Sequence, residues 1–382
     1  MKYLALFCVF VVSIASPQSE SKYIYNHSIK NNYCDDISFC IADLKFDGQQ
    51  VYICEFGEGL ESRFKGYDSL YGDGAMWRKI WRTIAAFSLP LSYVGTEFSQ
   101  SKTKNLASHI LKQHCTEMFA SLNDLQAFYA TQSAPTASGK KLLIAHSIKL
   151  STGPIHRLQK TWPEMMLLGN ATSHHVRSKK ATNMLFDTPF LKQFKPATLE
   201  IEKKYTGSLA YEIIQKIPSD FFVIKPPSCA LGLGVILVSK QELDDTLRLI
   251  IAGGKTLKDK RFSKAYSYWA HDRSATIMVE AFIPSKTIIV NELPFDGTMR
   301  VVFVVSNLNG QMGLQYLGAY WKLPAKNLGE SACFMDLHKS SISSSRISSE
   351  RVDAGDYDLV CQQLSLLLPP LYEKMLAQLA PK

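Results

Sequence analysis

The chain has 382 residues, 46% of them hydrophobic and 20% charged, with a net charge of +9. That length and balance exclude a disordered protein and a single small module, and predict two or three packed layers over one or two domains. The positive excess favours an anionic ligand, but the basic residues are dispersed and no Arg/Lys run resembles a nucleic-acid arm, so nucleic acid is not the expected partner.

The first sixteen residues, MKYLALFCVFVVSIAS, combine one lysine, an unbroken apolar segment over 4–12, and Ser13 and Ala15 at the −3 and −1 positions of a cleavage site. This predicts a secretory signal over 1–16 and a secreted or otherwise extracytoplasmic chain. The run is short for a bilayer and no later segment reaches transmembrane length, so no membrane span is expected after signal removal. Residues 17–33 are polar and read as a loose lead-in. Of eight cysteines, Cys8 lies in the signal, and the others show no CxxC spacing, which argues against a zinc site and a dense disulfide framework. Cys34 and Cys40 are a candidate bridge in an oxidising compartment. Asn26 and Asn170 open N-x-Ser/Thr sequons.

Structure is expected to begin at the apolar run 51–54. A loop with glycines at 57, 59, 66, 72 and 74 follows, then a helix carrying Met76, Ile80 and Ile84 on one face. A second helix is predicted over 104–120 and a strand over 140–148. The alternation predicts a small α/β domain over 34–160. The loop after Cys54 is a candidate ligand surface, with Glu55, Glu58 and Arg63 as its polar groups, although turn chemistry alone explains glycines. Helices are predicted over 179–193 and 207–216, stopped by Pro196 and Pro218. His174 and His175 read as surface residues without a third metal ligand. The second unit spans 161–382.

Within it, DFFVIKPPSCALGLGVILVSKQELD, residues 220–244, reads as a buried strand ended by Pro226 and Pro227, a glycine loop, a second strand and a helix opened by a Ser239/Glu242 capping box. Gly232 and Gly234 leave backbone N–H groups accessible, and Lys225 supplies a point charge suited to phosphate. No Gly-Lys-Ser/Thr follows, so this is not a P-loop. Leu237 stands where a dinucleotide fingerprint has its third glycine, and a protein kinase has its glycine loop before its lysine.

The next hundred residues repeat one pattern, a charge at the edge of an apolar strand. ATIMVEAFIP places Glu280 in a strand, where a buried acid needs a donor, and the backbone up to Ile283 offers an amide and a carbonyl to a base edge. KTIIVNELPFDGTMRVVFVV gives strands around a Pro/Asp/Gly turn flanked by Asp296 and Arg300, and QMGLQYLGAYWKLPAKNLGE adds a strand after the Asn309–Gly310 turn.

This succession over roughly 165–330 resembles the ATP-grasp superfamily, in its glutathione synthetase and tubulin tyrosine ligase branches. The matching pieces are KKATNMLF, FFVIKPP, GLGV, MVEAFI and GTMRVVFVV. The resemblance implies an α/β (α+β) fold with two sheet-containing lobes around a nucleotide cleft, preceded by a small α/β domain. It also implies ATP-dependent ligation of a small-molecule or peptide carboxylate to an amine or thiol through an acyl-phosphate. Carried over, Lys180 or its neighbour Lys179 and Lys225 hold phosphates, and Gly232 and Gly234 form the covering loop. Glu280 and Ile283 hold the adenine end, and Arg300 stabilises the transferred group.

The family closes its site with a Glu-x-Asn that holds Mg²⁺, and no such motif follows Arg300. Asn327 and Glu330 have the chemistry in an unfamiliar order, with Asp336 nearby. Either the metal is held differently, with help from Asp296, or catalysis is impaired. Lys322 is a candidate contact for an anionic substrate, or a solvated strand lysine. The basic stretch 255–264 and the serine-rich 338–353 read as surface loops. The last helix is expected to break at Pro369–Pro370. Two functions remain, an ATP-dependent ligase and a secreted, catalytically degenerate nucleotide-binding or interaction protein; the oligomeric state is not legible.

Overall fold

Residues 36–46, DISFCIADLKF, form a strand, β2 (Asp36–Phe46), that is buried along its whole length although Asp36, Asp43 and Lys45 interrupt it. Those charges hide it from a search for apolar periodicity, which starts the fold at residue 51. The computed structural model describes residues 24–28, 33–59, 64–94, 117–131, 141–145, 160, 162, 164–228, 232–252, 264–330 and 349–379. The expected signal, Arg63, Asp336, residues 104–116 of the expected helix, and nearly all of the basic and serine-rich stretches lie outside the described residues.

The protein is a mixed α/β molecule with several sheets. In the first, β2 pairs with β3 (Val51–Glu58) on one side and β14 (Thr298–Leu308) on the other; β15 (Gln311–Lys322), with β1 (Ile24–Ser28) and β16 (Ser349–Glu350) on it, completes the antiparallel array. This sheet crosses the boundary expected at residue 160, because the hairpin 36–58 is completed by strands from 298–322. Side chains alternate across it. Cys40, Ala42 and Leu44 pack with Met299, Val301 and Phe303 beneath α10 (Ala354–Ala377). On the opposite face Ile37, Phe39, Ile41, Val302, Val304 and Tyr320 meet α1 (Lys65–Tyr71) and α2 (Ala75–Ala86). Along that second face the apolar positions stop at Ile41 and Val302, and the next ones are Asp43, Lys45, Arg300 and Thr298.

Helix α10 runs through Pro369 and Pro370 instead of breaking there. Each proline removes a backbone donor, but Leu364, Leu367, Leu368, Leu371 and Tyr372 are buried against the sheet, and that burial outweighs the lost bonds.

The second sheet is antiparallel, in the order β10 (Ile236–Ser239), β9 (Phe221–Lys225), β11 (Thr276–Ala281), β8 (Thr198–Glu202). Its core is closed by α7 (Leu209–Lys216), α8 (Leu243–Ala252) and α9 (Lys264–Trp269) through Ile213, Leu247, Ile250 and Trp269. Before α8, the Glu242 carboxylate accepts the Ser239 N–H at 3.0 Å and its hydroxyl at 2.7 Å. A third, parallel sheet joins β5 (Glu117–Phe119), β4 (Leu91–Val94), β6 (Lys141–Ala145) and β7 (Met165–Leu167), with α3 (Leu122–Ala130) beside β5; the end of the helix expected over 104–120 is thus strand.

A separate hairpin, β12 (Thr287–Val290) and β13 (Leu293–Asp296), turns at Asn291 and Glu292, with φ of 48° and 67°. Positive φ at both central residues gives the twist a two-residue hairpin needs. The turn therefore precedes Pro294, which lies within β13, and is not the expected Pro/Asp/Gly turn. Cys34 is exposed and Cys40 buried in β2, and both are free thiols, so the candidate bridge is not formed. No helix among the described residues is long and apolar enough to cross a membrane.

Candidate functional site

Strand β9 ends on Lys225 because Pro226 and Pro227 follow. The Pro227 carbonyl accepts the backbone N–H of Lys179 at 3.0 Å, at the start of a short helix, α5 (Lys179–Met184), whose cap Ser178 accepts the Ala181 N–H at 3.1 Å. That bond fixes Lys179 and Lys225 relative to each other from separate elements. Helix α4 (Ser173–Arg177) precedes α5, and α6 (Pro189–Lys192) follows it, so the helix expected over 179–193 is two pieces. The Thr188 hydroxyl caps the second piece, with Pro189 in its first turn.

The chain leaving β11 carries the site from the second sheet to the first. Phe282 N–H donates to Phe221 O at 3.0 Å, Ser285 N–H to Asp296 Oδ1 at 2.8 Å, and Lys286 N–H to Phe46 O at 2.8 Å. Between the sheets lies a cleft partly open to solvent. Val223, Val235, Leu237, Phe282 and Ile283 form its apolar walls, and Lys45, Lys179 and Lys225 line it as cations. A bulge in β3 opposite Asp43 and Leu44 turns both Cys54 and Glu55 toward the cleft.

Each cation has a carboxylate. Lys45 Nζ donates to Asp296 Oδ1 at 2.8 Å and to Gly297 O at 3.0 Å. Lys179 Nζ lies 3.6 Å from Glu55. Glu280 is held between Lys195, at 2.8 Å, and Lys225, which also reaches Cys54 O at 3.4 Å. Burial pushes the Glu280 carboxyl upward, but the two ammonium groups more than offset this and hold it below the ordinary glutamate range. Burial also pulls the Lys195 ammonium down, against the attraction of Glu280. On the first sheet, Arg300 grips Asp43 with two bonds, Nε to Oδ1 at 2.7 Å and Nη2 to Oδ2 at 2.9 Å, and Lys322 adds a third at 3.2 Å. Burial disfavours the charge on Arg300, and Asp43 restores it, leaving the guanidinium above its ordinary value.

Lys225, Gly232, Glu280 and Ile283 thus line one cleft. Lys180 does not: its side chain is 52% exposed and pairs with Glu200 at 2.8 Å, and the buried Lys179 takes the place. The Glu280 carboxylate is taken up by two lysines. Gly234, with φ of 71°, is required by packing, because a Cβ there would stand 2.6 Å from Tyr268 and 2.9 Å from Pro226. Arg300 and Lys322 share Asp43 beside the cleft, and Asp296 anchors Lys45. Asn327 does not present its oxygen to a metal; Oδ1 accepts the backbone N–H groups of Gly329 and Glu330 at 2.8 and 3.0 Å within its own turn. Glu58 lies farther along β3, and His175 is buried, not on the surface, with its Nδ1 lacking a partner among the described residues. It lines a narrow pocket with Cys54, Lys179, Lys195 and Glu280. Sequence reading misses Asp43, Lys45 and Lys195. The first two sit in the overlooked strand, while Lys195 stands before a proline as Lys225 does, a signal that was present.

No protein-family model and no curated protein matches the chain. Solved structures with a similar chain path include a Methylobacillus flagellatus protein provisionally assigned as a gamma-glutamylcysteine synthetase, with a TM-score of 0.48, 10% identity and 91% of each chain covered. D-alanyl-alanine synthetase A from Vibrio cholerae gives a TM-score of 0.37 at 9% identity over 73% of this chain and 80% of that one. D-cycloserine synthetase DcsG gives 0.35 at 9% identity, over 74% and 82%. Likeness at this level says nothing about the residues of the cleft.

Proposed function

We propose that the cleft binds ATP and that the chain is an ATP-grasp-type ligase joining a small-molecule or peptide carboxylate to an amine or thiol. The observation that carries the reading is the convergence of Lys45, Lys179 and Lys225, from separate elements, on one cleft that also has an apolar wall of Val223, Val235, Leu237, Phe282 and Ile283, with Glu55 and Glu280 beside the lysines. Apolar side chains suit the faces of a purine, and the Ile283 peptide, past the last ladder residue of β11, suits its edge. The ammonium groups suit phosphate oxygens.

In this reading a substrate carboxylate oxygen attacks the terminal phosphorus, the bond to the bridging oxygen breaks, and ADP leaves. An amine or thiol then attacks the acyl carbon, loses its proton to solvent, and phosphate departs. Lys179 and Lys225 hold phosphate charge in place, and Arg300 offers a bidentate fork to the acyl-phosphate once Asp43 yields it. Of the expected magnesium ligands, the Asn327 oxygen is committed to a turn. No step is assigned to the metal.

A second reading, a nucleotide binder without turnover, is favoured by one observation, the occupation of Arg300 by Asp43. Calorimetric titration of ATP into the chain and into Lys225→Ala, followed by an ADP-release assay with candidate acids and amines, separates the possibilities. Saturable binding weakened at least about tenfold in the variant is expected, from the loss of a charge-assisted hydrogen bond. Absence of ATP binding by the unaltered chain overturns both readings, and binding without ADP release under any acid and amine pair overturns the first. The leader reading of residues 1–16 belongs to this proposal and predicts a mature N-terminus near residue 17 in secreted material.

A further inference from the structure

We infer that Lys45, supplied by the N-terminal hairpin from outside the segment that resembles a nucleotide-binding unit, is a third phosphate-contacting cation, and that Asp296 is the residue that positions it. The inference rests on the nucleotide reading above.

Lys45 follows Asp43 by two residues on β2, on the face where the sheet turns from apolar to charged. Its side chain is 11% exposed, and it lines the cleft between Phe282 and Thr298. An ammonium has three N–H donors. Asp296 Oδ1 and the Gly297 carbonyl take two of them, and the Phe282 ring lies 5.3 Å from Nζ. No hydrogen-bond acceptor for the third is present among the described residues.

The partner shows the same incompleteness. Asp296 Oδ1 accepts both Lys45 and the Ser285 N–H, whereas Asp296 Oδ2 is buried and has no partner among the described residues. A bridge serving stability alone would satisfy both oxygens, because a buried acceptor without a donor costs free energy. One oxygen instead ties Lys45 to the segment 282–286, the strip of chain that bears the apolar end of the cleft. Asp296 thereby sets the distance between a cation and the base-binding wall. An anion entering the cleft takes the remaining donor without dismantling the pair. The N-terminal hairpin is then part of the nucleotide site.

The test is calorimetry of ATP and of adenosine with the full chain and with Lys45→Met, which keeps the length of the side chain and removes its charge. ATP affinity is expected to fall about tenfold or more while adenosine affinity changes less than about twofold, since only the phosphates meet the ammonium. Equal losses for both ligands, or no loss for either, overturn the inference while leaving the nucleotide reading intact. Failure of the unaltered chain to bind ATP overturns the reading itself. Should the variant not fold, reductive methylation of the unaltered chain gives the answer by mass spectrometry. ATP should protect Lys45 as it protects Lys225, and adenosine should not. Protection of Lys225 with unchanged labelling of Lys45 overturns the assignment.

Discussion

The molecule holds two ion triads of the same make, a carboxylate between two cations, in two different settings. In the second sheet, Lys195, Glu280 and Lys225 have side chains only 6%, 4% and 6% exposed. On the first sheet, Arg300, Asp43 and Lys322 are at 14%, 5% and 18%. Taking charge out of water costs several kcal/mol per ion, so the more buried triad keeps its ion pairs, and an anion in the cleft meets Lys225 without displacing Glu280. Asp43 is as buried as Glu280, but Arg300 and Lys322 keep more exposed surface than Lys195 and Lys225, so an added anion reaches them more readily. Equal chemistry thus gives a more buried ion cluster in one lobe and a more accessible one in the other. Around the cleft as a whole, cations outnumber carboxylates, since Glu280 and Asp43 each serve two.

The comparison breaks most severely at Glu280. Glu280→Ala leaves two buried ammonium groups facing each other, and a loss of about 3–5 kcal/mol of stability is expected, read from urea denaturation. The same residue sets a pH signature. Its folded pKa lies below the ordinary value of 4.5, so its contribution is fully present above that value and is lost as pH falls through the lowered one. Acid titration of the unaltered chain should therefore show a loss of stability in that window that Glu280→Gln lacks. A loss under about 1 kcal/mol in the alanine variant would mean that the lysines find other partners or water, and the contrast between the triads would collapse.

Asp43→Asn sharpens the comparison at the other end. It removes one charge from the open triad, with an expected cost of about 1–3 kcal/mol, because the amide satisfies Arg300 less well and water reaches Lys322. Anion affinity should move the opposite way, tightening about fivefold for ATP or inorganic phosphate as the two cations lose their internal competitor. Calorimetry at constant ionic strength reads the change. Weaker anion binding in the variant would mean that Asp43 orders the cations more than it competes for them.

The parts of this site that were legible in the sequence are those where an apolar run ends on a charge beside a turn. Lys225 before two prolines, Glu280 near the end of its strand, and Arg300 just after Gly297 at the start of its strand are of that kind. Strand β2 was not legible because its charges, Asp43 and Lys45, are what the site uses. A pattern search counts them as solvent-facing, and only pairing with β14, more than 250 residues away, shows them buried. Choosing between Lys179 and Lys180 likewise required a contact distant in sequence, since the Pro227 carbonyl fixes where α5 begins and hence which lysine points inward. The continuity of α10 through two prolines depends on burial, which local propensity does not encode. Asn327 shows the converse error: its residue type suits a metal, but the chain folds back so that its oxygen caps its own turn.

The smallest expected effect tests that inward choice directly. Lys180 and Glu200 form a surface pair, and such pairs contribute about 0–0.5 kcal/mol once side-chain entropy and solvent screening are included. Lys180→Ala should therefore leave stability unchanged within that range and ATP affinity within about twofold, since a mobile surface charge acts on the cleft only through screened water. Lys179→Ala, one residue away, removes an ammonium from the cleft wall and leaves Glu55 without its 3.6 Å partner. The ratio of the two ATP affinities, measured side by side by calorimetry, reads the orientation of α5. Equal losses would mean that the helix presents both lysines to the phosphates, and a larger loss at Lys180 would reverse the assignment.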